Sequence, residues 1–360
     1  MPADETLSRR EFLERAAKAG ACLAAAGAIA YAAHDPSGPG PASAEPPAAA
    51  LPDFSMPGQG KKMCIGHGSD RARTLQLALQ ALGGIEAFVR KGDRVLLKVN
   101  AAFASPPMLS ATTHPAIVTE LTRLCLKAGA ASVAVTDNPI NDPASCFALT
   151  GIAQAARSAG ADVILPEERF FKPMTVKGAQ LIRNWPVLAA PLSGITKLIG
   201  IAPVKDHHRS GASMVMKNWY GLLGGRRNIF HQDIQTIIAE LAGMVKPTLV
   251  VLDGTTTMIT NGPTGGSLAD LKETRTLIVG TDQVAVDAFG ATLLGKTASD
   301  LPFIAKAEAL GAGTADYRSL SPIEVSACAS SSRGASARCF SSGSLSGSAW
   351  FPPWGTCSGS

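Results

Sequence analysis

No Cys-x-x-Cys occurs anywhere in the 360 residues, so neither a zinc ribbon nor a ferredoxin-type cluster run is encoded. Lysine and arginine form no long block, and there are only three tyrosines and four tryptophans. Nucleic-acid binding therefore lacks both its basic footprint and its stacking platforms. The net charge of +5 is small for this length. A strongly apolar run of about 20 residues is also missing. The stretch from Ala19 to Ala33 is mostly alanine, which argues against a permanent membrane span. At roughly 150 residues per domain, the length suits one large or two modest domains.

What is present starts at the N-terminus. Ser8-Arg9-Arg10-Glu11-Phe12-Leu13, followed by the alanine-rich stretch Gly20 to Ala33, resembles a bacterial twin-arginine export signal. Ala30-Tyr31-Ala32 and Ala42-Ser43-Ala44 each offer a small-x-small cleavage site. Residues 1–33 are thus expected to be a signal read by the twin-arginine machinery, which would deliver the chain folded to the periplasm. Folding before export suits a protein that takes up a cofactor or metal in the cytoplasm. Cys22 precedes most of the apolar stretch, which excludes lipid attachment there. Residues 34–60, rich in Pro, Ala and Gly, read as a flexible linker.

Cys64, Cys125 and Cys146 lie in the region expected to fold, and Cys328, Cys339 and Cys357 in the tail. Pairing is not legible from spacing, and Cys125 and Cys146 read as buried, inert thiols. Beyond Ser326 the chain becomes Ser, Gly, Ala and Cys without periodicity. Residues 327–360 are expected to be a disordered low-complexity tail, unlike a natural chain end, as if the reading frame were lost.

Between 61 and 320 the grammar alternates. Arg94 to Val99, Ser132 to Thr136 and Ala161 to Leu165 read as strands, separated by helices over Pro115 to Lys127 and near Ala144 to Ala159. Lys197 to Ala202, Thr248 to Leu252 and Thr276 to Val279 are further strands. Helices are expected near Ser213 to Leu223, over Asp233 to Met244, and from a Thr281-Asp282 cap to Leu294. The fold class is α/β, a mostly parallel sheet or sheets with helices on both faces, in one or two lobes.

The densest polar cluster is Pro203-Val-Lys-Asp-His-His-Arg209, followed by Met216 to Gly221, Gly224-Gly225-Arg226-Arg227 and His231. It follows a strand, at the edge where open α/β sheets bind ligands. His207, His231 and Lys205 are the candidate catalytic groups. Lys98, Asn100, Lys217, Asn218 and Arg227 are the candidate anion-binding groups. His207, His231 and Asp253 are the candidate ligands of a divalent metal. A solvated basic loop explains the same residues without any ligand. Gly290 to Thr297 satisfies the phosphate-loop pattern, yet a helix already in progress precedes it, so the context that pattern needs is absent.

Taken together, Gly92 to Asn100, Pro203 to His207, Lys217 to Gly221 with Arg227 and His231, Asp253 with Gly262-Pro263, and Val279 to Asp287 resemble the domain of unknown function 362 family across residues 61–320. The resemblance implies an uncharacterised, redox-associated protein, since many members carry an iron–sulfur segment. The three tail cysteines are too far apart for such a cluster. The expected function is an exported protein linked to a metal or redox cofactor, with an anion- or metal-binding cleft and a redox partner protein. A non-catalytic periplasmic binding or cofactor-maturation protein is the alternative, and an ATPase acting through 290–297 comes third.

Overall fold

Arg94-Val-Leu-Leu-Lys98 forms a strand because all its apolar side chains find cover, which only a sheet layered on both faces provides. The computed structural model describes residues 9–32, 50–56, 58 and 60–327. Its strands are β1 (Met63–His67), β2 (Arg94–Lys98), β3 (Ser132–Thr136), β4 (Asp162–Ile164), β5 (Phe171–Met174), β6 (Trp185–Leu188), β7 (Lys197–Lys205), β8 (Leu249–Met258), β9 (Leu271–Gly280) and β10 (Ile323–Ser326). One continuous sheet runs β10-β1-β9-β8-β7-β2-β3-β4, and β5 with β6 makes a separate hairpin. Within the large sheet only the pairings of β9 with β1 and β8 are antiparallel. The fold is α/β with a mostly parallel sheet, in one lobe where one or two were expected.

The helices are α1 (Arg9–Ala32), α2 (Arg71–Ala81), α3 (Pro115–Lys127), α4 (Pro143–Leu149), α5 (Ile152–Ala159), α6 (Val215–Asn218), α7 (Ile234–Met244), α8 (Gln283–Leu293) and α9 (Pro302–Ala309). Strand alternation sorts side chains between two cores. Val95, Leu97, Ile199 and Val251 pack with α2, α3 and α5 on one face. Leu96, Leu198, Val250 and Leu252 pack with α7, α8 and α9 on the other.

Several boundaries differ from the sequence reading. The helix expected over 144–159 breaks at Gly151, whose φ of 72° is left-handed and suits glycine. The linker expected over 34–60 is anchored where it is described. Phe54 is 4% exposed, and its backbone bonds to Lys246 O and Thr248 Oγ1. The domain extends past 320, because β10 pairs in parallel with β1. The tail after Ala327 and the second cleavage site lie outside the described residues. No helix among the described residues is long and apolar enough to cross a membrane.

Two carboxylates fix the helices near the sheet edge. Asp282 caps α8, accepting the Val284 and Ala285 N–H groups at 3.0 Å, as expected. Asp287, fully buried in α8, accepts from Val215 and Met216 at 2.9 and 3.0 Å and so holds the start of α6. Burial pushes the Asp287 carboxyl up to about 7. Gly295, with φ of 69°, ends α8. The 290–297 pattern is therefore the end of a helix and not a loop opening one. Lys296 reaches Asp206 and Gly211 O, bracing the loop after β7.

Candidate functional site

Strand order reverses between β2 and β7: the chain builds outward through β3 and β4, then returns to place β7 on the other side of β2. The loops leaving β2 and β7 diverge at that point, where α/β sheets bind ligands. A cleft of about 900 Å³ opens there. Asn100, Phe103, Asp137 and Asn138 line one wall; Lys205, His207 and Ser213 line another; Lys217, Tyr220, Arg227 and His231 close it.

The floor is a buried ion pair. Lys98 Nζ lies 2.6 Å from Asp137 Oδ1, with both side chains out of solvent. It also donates to Val99 O at 2.7 Å and Asn218 O at 3.0 Å. Asp137 accepts the N–H groups of Ala101 and Asn138 at 2.6 and 2.9 Å. Burial pushes Lys98 below the ordinary lysine value, and Asp137 pulls it back. Gly221 covers the pair so closely that a Cβ there would stand 1.9 Å from Asp137 Oδ1.

These contacts reassign three residues expected to bind an anion. Lys98 is sealed beneath the cleft with its donors occupied. Asn218 Nδ2 donates to Lys98 O and Ile201 O, at 3.2 and 3.1 Å, tying β2 and β7 to α6. Arg227 lines the cleft, but its terminal nitrogens donate to Tyr220 O, Leu223 O, Asn138 O and Pro139 O. Its guanidinium staples two loops, leaving only Nε for anything else.

Asn100 and Lys217 keep free capacity. Asn100 is 7% exposed, and its Oδ1 is buried without a partner. Such an orphan marks a place for a donor. Lys217 stands 5.0 Å from the Tyr220 ring centroid and makes no ion pair among the described residues. Burial, helped by Arg227, lowers it to about 8.

Lys205 ends β7 at 1% exposure. Its Nζ donates to Ala111 O at 2.7 Å and lies 5.3 Å from the Phe103 ring centroid. Burial lowers it to about 7, with Lys217 adding to the effect and Asp137 opposing it.

Three imidazoles stand in a row. The His207 ring is 5.0 Å from His208 at 7° and 6.1 Å from His231 at 19°. His207 Nδ1 accepts from Arg209 N and Ser210 N, both at 3.2 Å, which puts its proton on Nε2. His231 Nδ1 faces Asn228 O and the Tyr220 hydroxyl, both at 3.2 Å. The Tyr220 hydroxyl itself donates to Arg227 O. His231 therefore carries its proton on Nδ1 and leaves Nε2 as a base. Burial first, then Lys217, lowers both histidines, His207 to about 2. Both are neutral at pH 7 and of opposite tautomer.

Asp253 does not join them. Its carboxylate is taken by Arg71 Nε and Thr255 N, each at 2.8 Å. Among the described residues no group of three or more His, Cys, Asp or Glu stands close enough to hold a metal ion. The metal set of His207, His231 and Asp253 is thus not assembled. Sequence reasoning passed over Asp137, and placed Tyr220 in the polar cluster without giving it a role. Asp137 directly follows β3 on the same sheet edge as Lys98, and that position was the available signal.

A family model described as Domain of unknown function (DUF362) matches residues 95–292. A thylakoid-associated protein of Synechocystis sp. is 26% identical over 250 residues, 66% of this chain and 74% of that protein. A Thermotoga maritima protein of known structure is 12% identical, covers 52% of this chain, and has a TM-score of 0.31. The lactate racemase apoprotein of Thermoanaerobacterium thermosaccharolyticum is 11% identical, covers 66%, and has a TM-score of 0.36. The chain spans 51% and 58% of the lengths of these two structures. Likenesses this loose say nothing of activity.

Proposed function

The chain belongs to the domain of unknown function 362 family, and from the cleft built by the matched residues we propose that it binds a small organic anion and moves a proton on it. One observation carries the reading: two neutral histidines of opposite tautomer share a cleft with an ammonium that has no carboxylate partner among the described residues. Lys217 holds the anion as a charge-assisted donor. His207 Nε2–H donates, His231 Nε2 accepts, and the Asn100 amide orients the ligand through its unpartnered oxygen. Such a pair can move a proton from one ligand atom to another, one imidazole accepting while the other donates.

Titration calorimetry with malonate at low salt tests the binding. Saturable one-site binding is expected, weakening as pH rises through about 8, where Lys217 loses its charge. Absence of binding at millimolar malonate would remove the anion reading.

Export is part of the same proposal. The α1 side chains from Arg9 to Ala25 are all exposed, as suits a segment read by another protein and not packed into the domain. Changing Arg9 and Arg10 together to Lys is expected to leave precursor in the cytoplasm, because the pathway reads the guanidinium pair and not charge alone. Fractionation with an unchanged periplasmic yield would end that idea.

A further inference from the structure

Lys205 is not needed to hold an anion, and the structure makes it a poor choice for that task. Its amine is buried at 1% exposure, its one hydrogen-bond partner is the Ala111 carbonyl, and the Phe103 ring faces it. No carboxylate ion-pairs with it among the described residues; the nearby Asp137 is committed to Lys98 at 2.6 Å. A second cation, Lys217, lines the same cleft. Two ammonium groups that line one cleft without an ion-pair partner among the described residues repel each other, and the more buried one also loses hydration, so it sheds its proton first. A desolvated lysine beside another cation is the arrangement that turns an amine into a nucleophile.

We propose that Lys205 forms a reversible imine with the carbonyl carbon of a small oxo acid whose carboxylate sits on Lys217. The inference rests on the anion-binding reading and names its substrate class. The amine lone pair forms the C–N bond, and the carbonyl π pair moves to oxygen. The resulting carbinolamine loses that oxygen as water, which carries away both protons of the amine. His231 Nε2 can take a proton from nitrogen and, as imidazolium, give it to the departing hydroxyl, while His207 Nε2–H hydrogen-bonds that oxygen, so both histidines end as they began. Nothing is oxidised or reduced, and no further reactant is needed. The imine then acidifies the adjacent carbon, giving the neutral acid–base pair a proton to move.

The test uses the full chain with pyruvate as probe, cyanoborohydride to trap the imine, and peptide mass spectrometry to locate the adduct. The Lys205 peptide should carry the reduced adduct at least about tenfold above any other lysine at pH 7, because ordinary lysines titrate near 10.4. Malonate should suppress it, and Lys205→Met should abolish it while retaining the circular dichroism of the parent. Should that variant fail to fold, labelling of the unaltered protein against pH decides. Half-maximal labelling at Lys205 near neutral pH supports the imine, and a rise only near pH 10 overturns it. An adduct that is absent or spread over many lysines, in protein that still binds malonate, overturns the imine and leaves the anion reading standing. Failure to bind malonate overturns both.

Discussion

Replacing Asp137 with Ala is expected to cost about 3–5 kcal/mol of stability, because it strands Lys98 as an uncompensated buried charge. Titration sets a ceiling of similar size. Giving up the Lys98 proton at pH 7 instead of near 10.4 costs about 4–5 kcal/mol, after which the neutral amine can stay buried. Water reaches the ammonium poorly, since the Lys98 side chain is out of solvent and Gly221 stands over the pair. Urea unfolding of the variant measures the loss. Lys98→Met combined with Asp137→Ala should recover the part due to the stranded charge, while the Ala101 and Asn138 N–H groups still lack the acceptor that Asp137 gave them. A single-variant loss under about 1 kcal/mol would show that the pair is not the brace described.

Lys217→Met should weaken anion binding about 30- to 150-fold, the equivalent of one charge-assisted hydrogen bond worth about 2–3 kcal/mol. The pH profile separates a lost charge from a disturbed cleft. In the parent, the Lys217 ammonium exists below about 8, so affinity is full on the acid side and declines as pH rises through that value. The variant should bind weakly and show no decline there. Parent-like affinity in Lys217→Met would transfer the anion to another donor lining the cleft.

How much of this was legible depends on how far apart the partners lie in the chain. Near-continuous apolar runs announced β2, β3, β7 and β8, because burial on both faces leaves a local signature. The Asp282 cap was equally legible, since its partners are two and three residues away. Edge position alone brought Lys205, His207, Lys217 and His231 to one cleft. What spacing could not show was how each polar group is already spent. Arg227 donates to carbonyls nearly ninety residues earlier in the chain, and Asp253 bonds an arginine 182 residues before it. Such pairings leave no periodicity. A lysine that binds a ligand and one that holds up a floor therefore look alike until the sheet is assembled.

The place of β7 between β2 and β8 also has a consequence in time. The ribosome releases β2 roughly a hundred residues before β7, which at about 5–20 residues per second is a wait of roughly 5–20 seconds. Through that interval one edge of β2 has no neighbour, an adhesive surface on a half-made chain. Insertion of β7 covers the edge, and the same step brings Lys205 to the cleft that Asn100 lines. A nascent chain or fragment stopping short of β7 would keep Asn100 and Asp137 yet own no cleft. Insertion of β7 thus begins both cleft assembly and protection of the edge, and the segment from Lys217 to His231 and then β8 complete them.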